Sequence, residues 1–189
     1  MKRRLIVIVV AVMAILIYQK FMPEPNDFTS EDLLKVRASE TIEHVESLED
    51  GVLVFWDNGE QSQKDRINYY SVAVDYFKPS FMNWQWVNGG MHGGDYEEGI
   101  SIQYIPKKAL KKFSLNFGVV VVVDSSIEEI RLTDQASGNK YSATLIDLED
   151  ETVWYVVVPD DTVVSTIECF DVGGNIVYTM MSDNSWLFE

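Results

Sequence analysis

The sequence FSLNFGVVVVV, residues 113–123, ends in five consecutive valines. Valine is enriched in strands because its branched side chain fits the pleated surface of a sheet. A strand with one face in solvent alternates apolar and polar residues, whereas residues 119–123 are apolar without interruption. The run therefore predicts a strand that is covered on both faces.

Five more strand-like runs follow this stretch, each bounded by turn residues. They are residues 127–133, 140–148, 152–158, 163–170 and 176–180. Short strands at this regular spacing are typical of a small antiparallel sandwich or barrel. We therefore predict a β-sandwich-like subdomain over residues 113–189. Its last residues include Trp186, Leu187 and Phe188, which we expect to dock on the sheet rather than extend into solvent.

Residues 30–112 predict a short helix followed by antiparallel strands. Ser30 or Thr29 can cap a helix over about residues 30–39, with acids in its first turn. Alternating runs at 41–48, 52–56, 69–77 and 100–104 predict strands, and Asn58-Gly59 is a tight-turn signal. Five glycines lie within residues 88–99, which predicts an irregular loop there. This β subdomain is either separate from residues 113–189 or continuous with them. The predicted class is mainly β, a β-rich α+β protein.

An apolar run, LIVIVVAVMAILIY at residues 5–18, directly follows Lys2, Arg3 and Arg4. Its 14 residues are fewer than the roughly 20 of a typical spanning helix and suit the core of a signal peptide. Residues 19–25 offer no small residues at the spacing of a cleavage site, however. We therefore predict an uncleaved signal-anchor or transmembrane segment at residues 1–22, inserted through residues 5–22, and a Pro-containing linker at 23–29. The alternatives are secretion after signal cleavage and a helix in a soluble core.

Charge predicts the orientation of this anchor. Basic residues tend to stay on the cytoplasmic side, which leaves the C-terminal domain extracellular in a single-pass arrangement. Four of the 15 Lys and Arg residues lie in the first 20 positions, so 11 basic residues face 30 acids beyond them. An exported domain this acidic is a poor partner for nucleic acid, whose phosphates require basic contacts.

The sequence predicts no catalytic residue, metal site or cofactor. The single cysteine, Cys169, cannot form an internal disulfide and lies in a strand-like run, as a small buried hydrophobic residue would. The two histidines are His44, expected to be half buried in a strand, and His92. No Gly-x-Ser-x-Gly motif exposes a nucleophile. His92 and the acids that follow it are too few and too irregularly spaced for a transition metal or an EF-hand.

One group of aromatic residues suggests binding. Phe81, Trp84 and Trp86 precede the glycine-rich segment, which carries His92, Asp95 and Tyr96. These six residues could form a platform for a peptide, a glycan or a partner protein, because aromatic side chains provide contact area at low entropic cost. The aromatic residues could equally be core. Exposure of Trp84 or Trp86 distinguishes the two hypotheses, and a cleft joining His92 to carboxylates would favour an envelope hydrolase instead.

Four lysines cluster at residues 107–112 in an otherwise acidic region. They suit the solvated face of a helical turn. The alternative is contact with anionic lipid or wall polymers, which requires the cluster to face the membrane or the wall.

Two stretches resemble a known group of proteins. The Trp-x-Trp-Val and Gly-Gly-x-His-Gly pattern of residues 81–94 lies between a Gly-Val-Leu-Val-Phe strand and the Tyr104-Ile105-Pro106 segment. With the hairpin-like residues 170–177, it resembles small exported or membrane-anchored β-rich proteins of Gram-positive bacteria without assigned activity. The resemblance implies an anchored extracellular β-rich domain and no catalytic residue. Together with the residue patterns, it predicts a binding or accessory module of the cell envelope, or a structural or regulatory domain of a membrane complex.

Overall fold

The computed structural model shows a mainly β protein, which confirms the predicted class. The structure describes residues 2–24, 27–29, 31–32, 35, 41–57, 69–81, 83–95, 99–121, 127–148, 152–159 and 163–181. Within these ranges, three antiparallel sheets contain all the strands. We call them sheets A, B and C, in the order in which the chain enters them.

Two described helices accompany the strands: α1 (Lys2–Lys20) and α2 (Lys107–Leu110). The strands are β1 (Thr41–Leu48), β2 (Gly51–Asp57), β3 (Tyr69–Ser80), β4 (Asn83–Asp95), β5 (Gly99–Ile100), β6 (Gln103–Ile105), β7 (Ser114–Val121), β8 (Glu129–Asp134), β9 (Lys140–Ser142), β10 (Thr144–Asp147), β11 (Thr152–Val158), β12 (Val164–Phe170) and β13 (Ile176–Met181).

Sheet A is a meander in which β1, β2, β3 and β4 pair in sequence order. A β-bulge interrupts the β1–β2 register between Ile42 and His44. One extra residue in a strand reverses which face the following side chains occupy. Ile42 and Val45 consequently both pack on the outer face of the sheet, while Leu48 packs on the inner face. The bulge thus places His44 and Glu46, which alternate with Val45, on the inner face.

Sheet B has the order β10-β11-β7-β5, with β6 also paired to β7, and sheet C has the order β13-β12-β8-β9. The predicted strand at 100–104 is interrupted after Ile100. There the Ser101 hydroxyl accepts the backbone N–H of Val119 at 2.8 Å, and the Ser101 carbonyl accepts the indole N–H of Trp154 at 3.1 Å. The Ser101 hydroxyl thus accepts a hydrogen bond from Val119 that a backbone carbonyl would normally accept in a regular strand. The predicted single strand is therefore replaced by the two short strands β5 and β6.

Sheet B lies between the other two sheets. Its β7 residues Leu115, Phe117 and Val119 share a buried core with the inner face of sheet A. The opposite face of sheet B shares a second core with sheet C, which includes Trp154 and Ile167. A strand in this position needs apolar residues on both faces. The described part of the valine run, up to residue 121, therefore lies in a strand of a sheet covered on both faces, as predicted.

A third core lies on the outer face of sheet A. Its buried members come from β2, β3 and β4, together with Phe28 from the segment that follows α1. The rings of Phe28 and Phe77 lie with their centroids 4.9 Å apart. The predicted linker at 23–29 therefore packs against the sheet at Phe28.

The prediction of an irregular loop is wrong for residues 88–95, the part of the 88–99 segment that lies in β4. Strand β4 continues through Gly89, Gly90, Gly93 and Gly94 and pairs with β3 from Tyr69 to Ser80. None of the described glycines of β4 has a positive φ. Glycine weakens a strand mainly through its loss of conformational entropy. The long pairing of β4 with β3, which includes the β-branched Val74 opposite Gly90, offsets that cost.

Several predicted features lie outside the described residues. They are most of the helix expected at 30–39, the turn at Asn58-Gly59, and the terminal Trp186, Leu187 and Phe188. The subdomain boundary at residue 112 stays a prediction. No helix among the described residues is long enough and apolar enough to cross a membrane.

Candidate binding surface

The structure separates the six residues predicted to bind a partner. Phe81 is exposed at the β3–β4 turn, whereas Trp84 and Trp86 lie on β4 with 8% and 40% of their surface exposed. His92 and Asp95 lie further along β4, and their side chains are outside the described residues, as is all of Tyr96. The cleft around His92 therefore stays a prediction, and the described candidates are Phe81 and Trp86.

Trp84 belongs to the outer core of sheet A. Its ring meets Phe28 edge to face, with the centroids 5.5 Å apart. Its indole nitrogen is buried and has no hydrogen-bond partner among the described residues. The large apolar ring of Trp84 therefore serves packing, and a role for Trp84 in the platform stays a prediction.

Trp86 lies on the same face of β4 but is held differently. Its indole N–H donates to Oδ1 of Asp75 at 2.7 Å, and the indole N–H of Trp56 donates to Oδ2 at 2.8 Å. Asp75 is fully buried, so both carboxyl oxygens receive a donor where water is excluded. A buried polar group without such partners costs about 1–3 kcal/mol. The pair of bonds therefore fixes the Trp86 ring at the sheet surface.

Glycine makes room for this arrangement. Asp75 is paired with Gly89 across β3 and β4, and a Cβ atom on Gly89 would overlap Oδ1 of Asp75 and the carbonyl oxygen of Val74. Any other residue would displace the carboxyl group that holds Trp86. The glycine-rich composition is thus required at this position by a close side-chain approach rather than by a turn.

A bulge in β4 extends the exposed apolar surface. The register with β3 shifts between Tyr76 and Phe77, which leaves Val87 as an additional residue. Trp86 before the bulge and Met91 after it are both exposed, with Met91 54% accessible, while Val87 packs against the inner core. We call Trp86 and Met91, on the edge strand of sheet A, the β4 apolar edge.

Sequence reasoning missed a polar cluster between sheets A and B. Nε2 of His44 lies 3.4 Å from Oε2 of Glu46, and Glu46 in turn interacts with the side chain of the buried Tyr155. Burial raises the pKa of Tyr155, a hydrogen bond with Thr144 lowers it, and the nearby Glu46 raises it. The residues come from β1, β10 and β11, so no local motif could have revealed the cluster.

An open cleft of about 460 Å³ lies beside this cluster. Leu48, Thr144 and Tyr155 contribute to its walls, together with Lys140 and Ser142. His44 is half buried, as the sequence predicted, and its ring lies near Phe55 with the centroids 5.9 Å apart. Within the described ranges, no three His, Cys, Asp or Glu residues are grouped as a metal site requires.

None of the protein-family models, curated proteins or solved structures compared with this chain matches it. The functional argument therefore depends on the geometry of the chain itself. The β4 apolar edge carries that argument furthest.

Proposed function

We propose that this protein is a membrane-anchored extracytoplasmic β-rich domain that acts as a binding module of the cell envelope. Helix α1 supplies the anchor, and the β4 apolar edge binds a segment of another envelope protein. The proposal agrees with the resemblance to small anchored proteins of Gram-positive bacteria, which implies no catalytic residue.

Support for the anchor comes from the exposure of α1. Every side chain from residue 7 to residue 17 is apolar and exposed, over three turns and all around the helix. A helix that is apolar on all sides is normally covered by protein or by lipid. The apolar run of residues 5–18 is about 21 Å long, at about 1.5 Å per residue. Local thinning of the bilayer and the long side chains of Arg4 and Lys20 can accommodate the difference from a core of about 30 Å.

The charge of the chain supports the proposed orientation. Lys2, Arg3 and Arg4 precede the apolar run and stay in the cytoplasm under the positive-inside rule, while the acidic domain lies outside. This arrangement gives a single-pass protein with an extracellular C-terminal domain. Secretion of the domain after cleavage is the alternative.

Trp86 is the observation that carries the binding role. Its ring is 40% exposed on an edge strand, yet its orientation is fixed by Asp75. A rigid aromatic residue loses little entropy on binding, which is why such residues dominate interfaces. In the described part of the chain, β4 pairs only with β3, so its outer edge can accept an extended peptide by strand addition.

Photocrosslinking from the full-length chain in intact envelopes tests both parts of the proposal. We expect a photoreactive residue at Met91 to give adducts of discrete mass that disappear in Trp86→Ala, and alkaline washing to leave the chain in the membrane. Val172, which is 84% exposed, provides the control position. Equal adducts at residues 91 and 172 would exclude the β4 apolar edge as the binding surface. Release of the intact chain by alkaline washing would exclude the anchor.

A further inference from the structure

We infer that one end of the β domain is a docking surface for the anionic lipid bilayer in which α1 is proposed to be anchored. The surface combines Phe21 and Phe81 with the lysines at positions 78, 107, 108, 111 and 112, and we call it the basal surface. This inference depends on the proposed anchor and adds how the domain stands on the membrane.

The first step is the contact between the anchor and the domain. Phe21 directly follows α1, and its ring centroid lies 6.1 Å from that of Phe81 in the β3–β4 turn. Both rings are nearly half exposed. If α1 is in the bilayer, these rings lie at the level of the headgroups, where amphipathic and aromatic residues accumulate.

The second step places the lysines at the same end. Oδ2 of Asp50, in the β1–β2 turn, lies 3.6 Å from Nζ of Lys78 and 3.1 Å from Nζ of Lys112. Lys78 is three residues before Phe81 in the hairpin that ends at the turn. Asp50 therefore connects the end of α2 to the hairpin tip that contacts the anchor.

The third step is the way in which α2 presents its charges. Leu110 and Phe113 are buried in the core between sheets A and B, and the ring of Phe113 lies 4.9 Å from that of Tyr76. The apolar side of this short segment thus closes the end of that core, while Lys108 and Lys111 are exposed. Both are held outward by a segment that is itself fixed.

Charge complementarity selects the occupant. The chain has a net charge of −15, so most of its surface is repelled by anionic headgroups. At the basal surface, five lysines accompany Glu49 and Asp50, whereas Glu24 and Asp27 lie on the segment that leads to Phe28 on the other face of sheet A. A local excess of lysine beside a membrane segment attracts anionic lipid.

Fluorescence quenching in nanodiscs tests this orientation with the full-length chain. Cys169 is fully buried, so a single introduced cysteine can be labelled selectively. One probe is placed at Asn83→Cys, in the hairpin tip, and the control probe at Val172→Cys. Val172 lies at the opposite end of the domain. Strand β7 begins next to α2 and ends at Val121, which pairs with Gly99. Gly99 in turn packs on Tyr178, which is close to the β12–β13 turn that carries Val172.

We expect headgroup spin-labelled lipid to quench the probe at residue 83 and not the probe at residue 172, in nanodiscs of equal parts phosphatidylcholine and phosphatidylglycerol. The double variant Lys108→Gln/Lys111→Gln should lower the ratio of docked to undocked domain about 25-fold, since each surface lysine contributes about fivefold. Arg131→Gln, whose guanidinium lies over the Phe170 ring near Val172 at the opposite end, should leave the ratio unchanged.

Equal quenching at residues 83 and 172, or quenching at 83 that the double variant does not reduce, overturns the docking surface. An alkaline wash of the same samples separates this result from failure of the anchor. A chain that stays in the nanodisc but fails the quenching test overturns the docking surface alone. A chain that is washed off overturns both the anchor and the docking that depends on it.

Discussion

Trp86 donates its indole N–H to Oδ1 of Asp75 at 2.7 Å, while 40% of its surface remains in solvent. The same carboxyl group receives a second indole N–H, from Trp56. One buried acid on β3 therefore controls an exposed ring on β4 and a buried ring on β2. The proposed binding surface and the outer core of sheet A depend on the same side chain.

Asp75 and Trp86 should be energetically coupled. A double-mutant cycle of Asp75→Ala and Trp86→Phe should give a coupling free energy of about 1–3 kcal/mol, the usual cost of leaving a buried polar partner unpaired. Trp84 provides the matched control because it lies two residues away on the same face and donates to no described residue. Urea unfolding of the four proteins of each cycle measures both couplings. Equal coupling in the two cycles would contradict the role assigned to the hydrogen bond.

Gly89→Ala should be strongly destabilising, whereas the neighbouring Gly90→Ala should be mild. A Cβ atom on Gly89 overlaps the Asp75 carboxyl group, while on Gly90 it would lie 3.3 Å from Cδ1 of Ile105, which can shift. We expect a loss of about 3 kcal/mol or more for Gly89→Ala and about 1 kcal/mol or less for Gly90→Ala. Thermal unfolding measures the difference, and similar losses at both positions would contradict it.

Replacing Asn116 should stabilise the protein. Its side chain is fully buried on the face of β7 opposite Leu115 and Phe117, and neither carboxamide atom has a hydrogen-bond partner among the described residues. Asn116→Val removes this unpaired amide, and we expect about 1 kcal/mol of additional stability. Asn116→Asp is the opposing control, since a buried unpaired charge is costly. A stabilising effect of Asn116→Asp in urea unfolding would count against this explanation.

Asp134 should make stability dependent on acidic pH. Burial raises its pKa, but hydrogen bonds from Ser137 and from the backbone N–H groups of Ala136 and Val163 lower it below the usual 3.8. A carboxyl whose pKa is depressed in the folded state contributes stability above its unfolded pKa, and this stability is lost as pH falls through the folded value.

We therefore expect the urea midpoint of the protein to exceed that of Asp134→Asn at neutral pH, and the difference to shrink below about pH 4. Ser137→Ala should show a smaller pH-dependent loss of the urea midpoint, because the Ser137 hydroxyl donates to Oδ2 of Asp134 at 2.5 Å. A midpoint difference that stays constant down to pH 2 would show that Asp134 does not act through ionisation.

Cys169 should be unreactive until the protein unfolds. Burial raises the pKa of its thiol to about 11, so that at pH 8 on the order of one thousandth is thiolate. A chromogenic disulfide reagent should detect no thiol in the native chain and one thiol in concentrated urea. Val172→Cys provides a positive control in the folded state. Rapid reaction of the native chain that lacks this substitution would show that Cys169 is at the surface.

Strand positions could be predicted because alternation is a local property. Strands β7, β8, β11, β12 and β13 follow the apolar patterns closely, and the valine run indicated a doubly covered strand. The predicted single strand at 140–148 instead divides into β9 and β10, which belong to different sheets. The continuation of β4 through its glycines could not be predicted in the same way. It depends on pairing with β3, where Asp75, the partner of Gly89, lies 14 positions earlier in the chain.

The candidate site could be predicted only in part. The sequence indicated an aromatic group, but both tryptophans occupy equivalent alternating positions, and their different exposure comes from Phe28 and Asp75. Asp75 lies 19 residues from Trp56 and 11 from Trp86, so its role emerges only when three strands are assembled. The cluster of His44, Glu46 and Tyr155 was hidden for the same reason.

The central position of sheet B has a consequence for biogenesis. The described strands of sheet A are all present once residue 95 has been synthesised, but β7 and β11 do not complete the layer on its inner face until residue 158. A chain that leaves the ribosome from its N-terminus exposes Phe55 and Val74 throughout that interval. Uncovered apolar strands are the usual origin of aggregation. Delivery of the remaining sixty residues, rather than formation of the first sheet, therefore sets the period in which this protein needs protection.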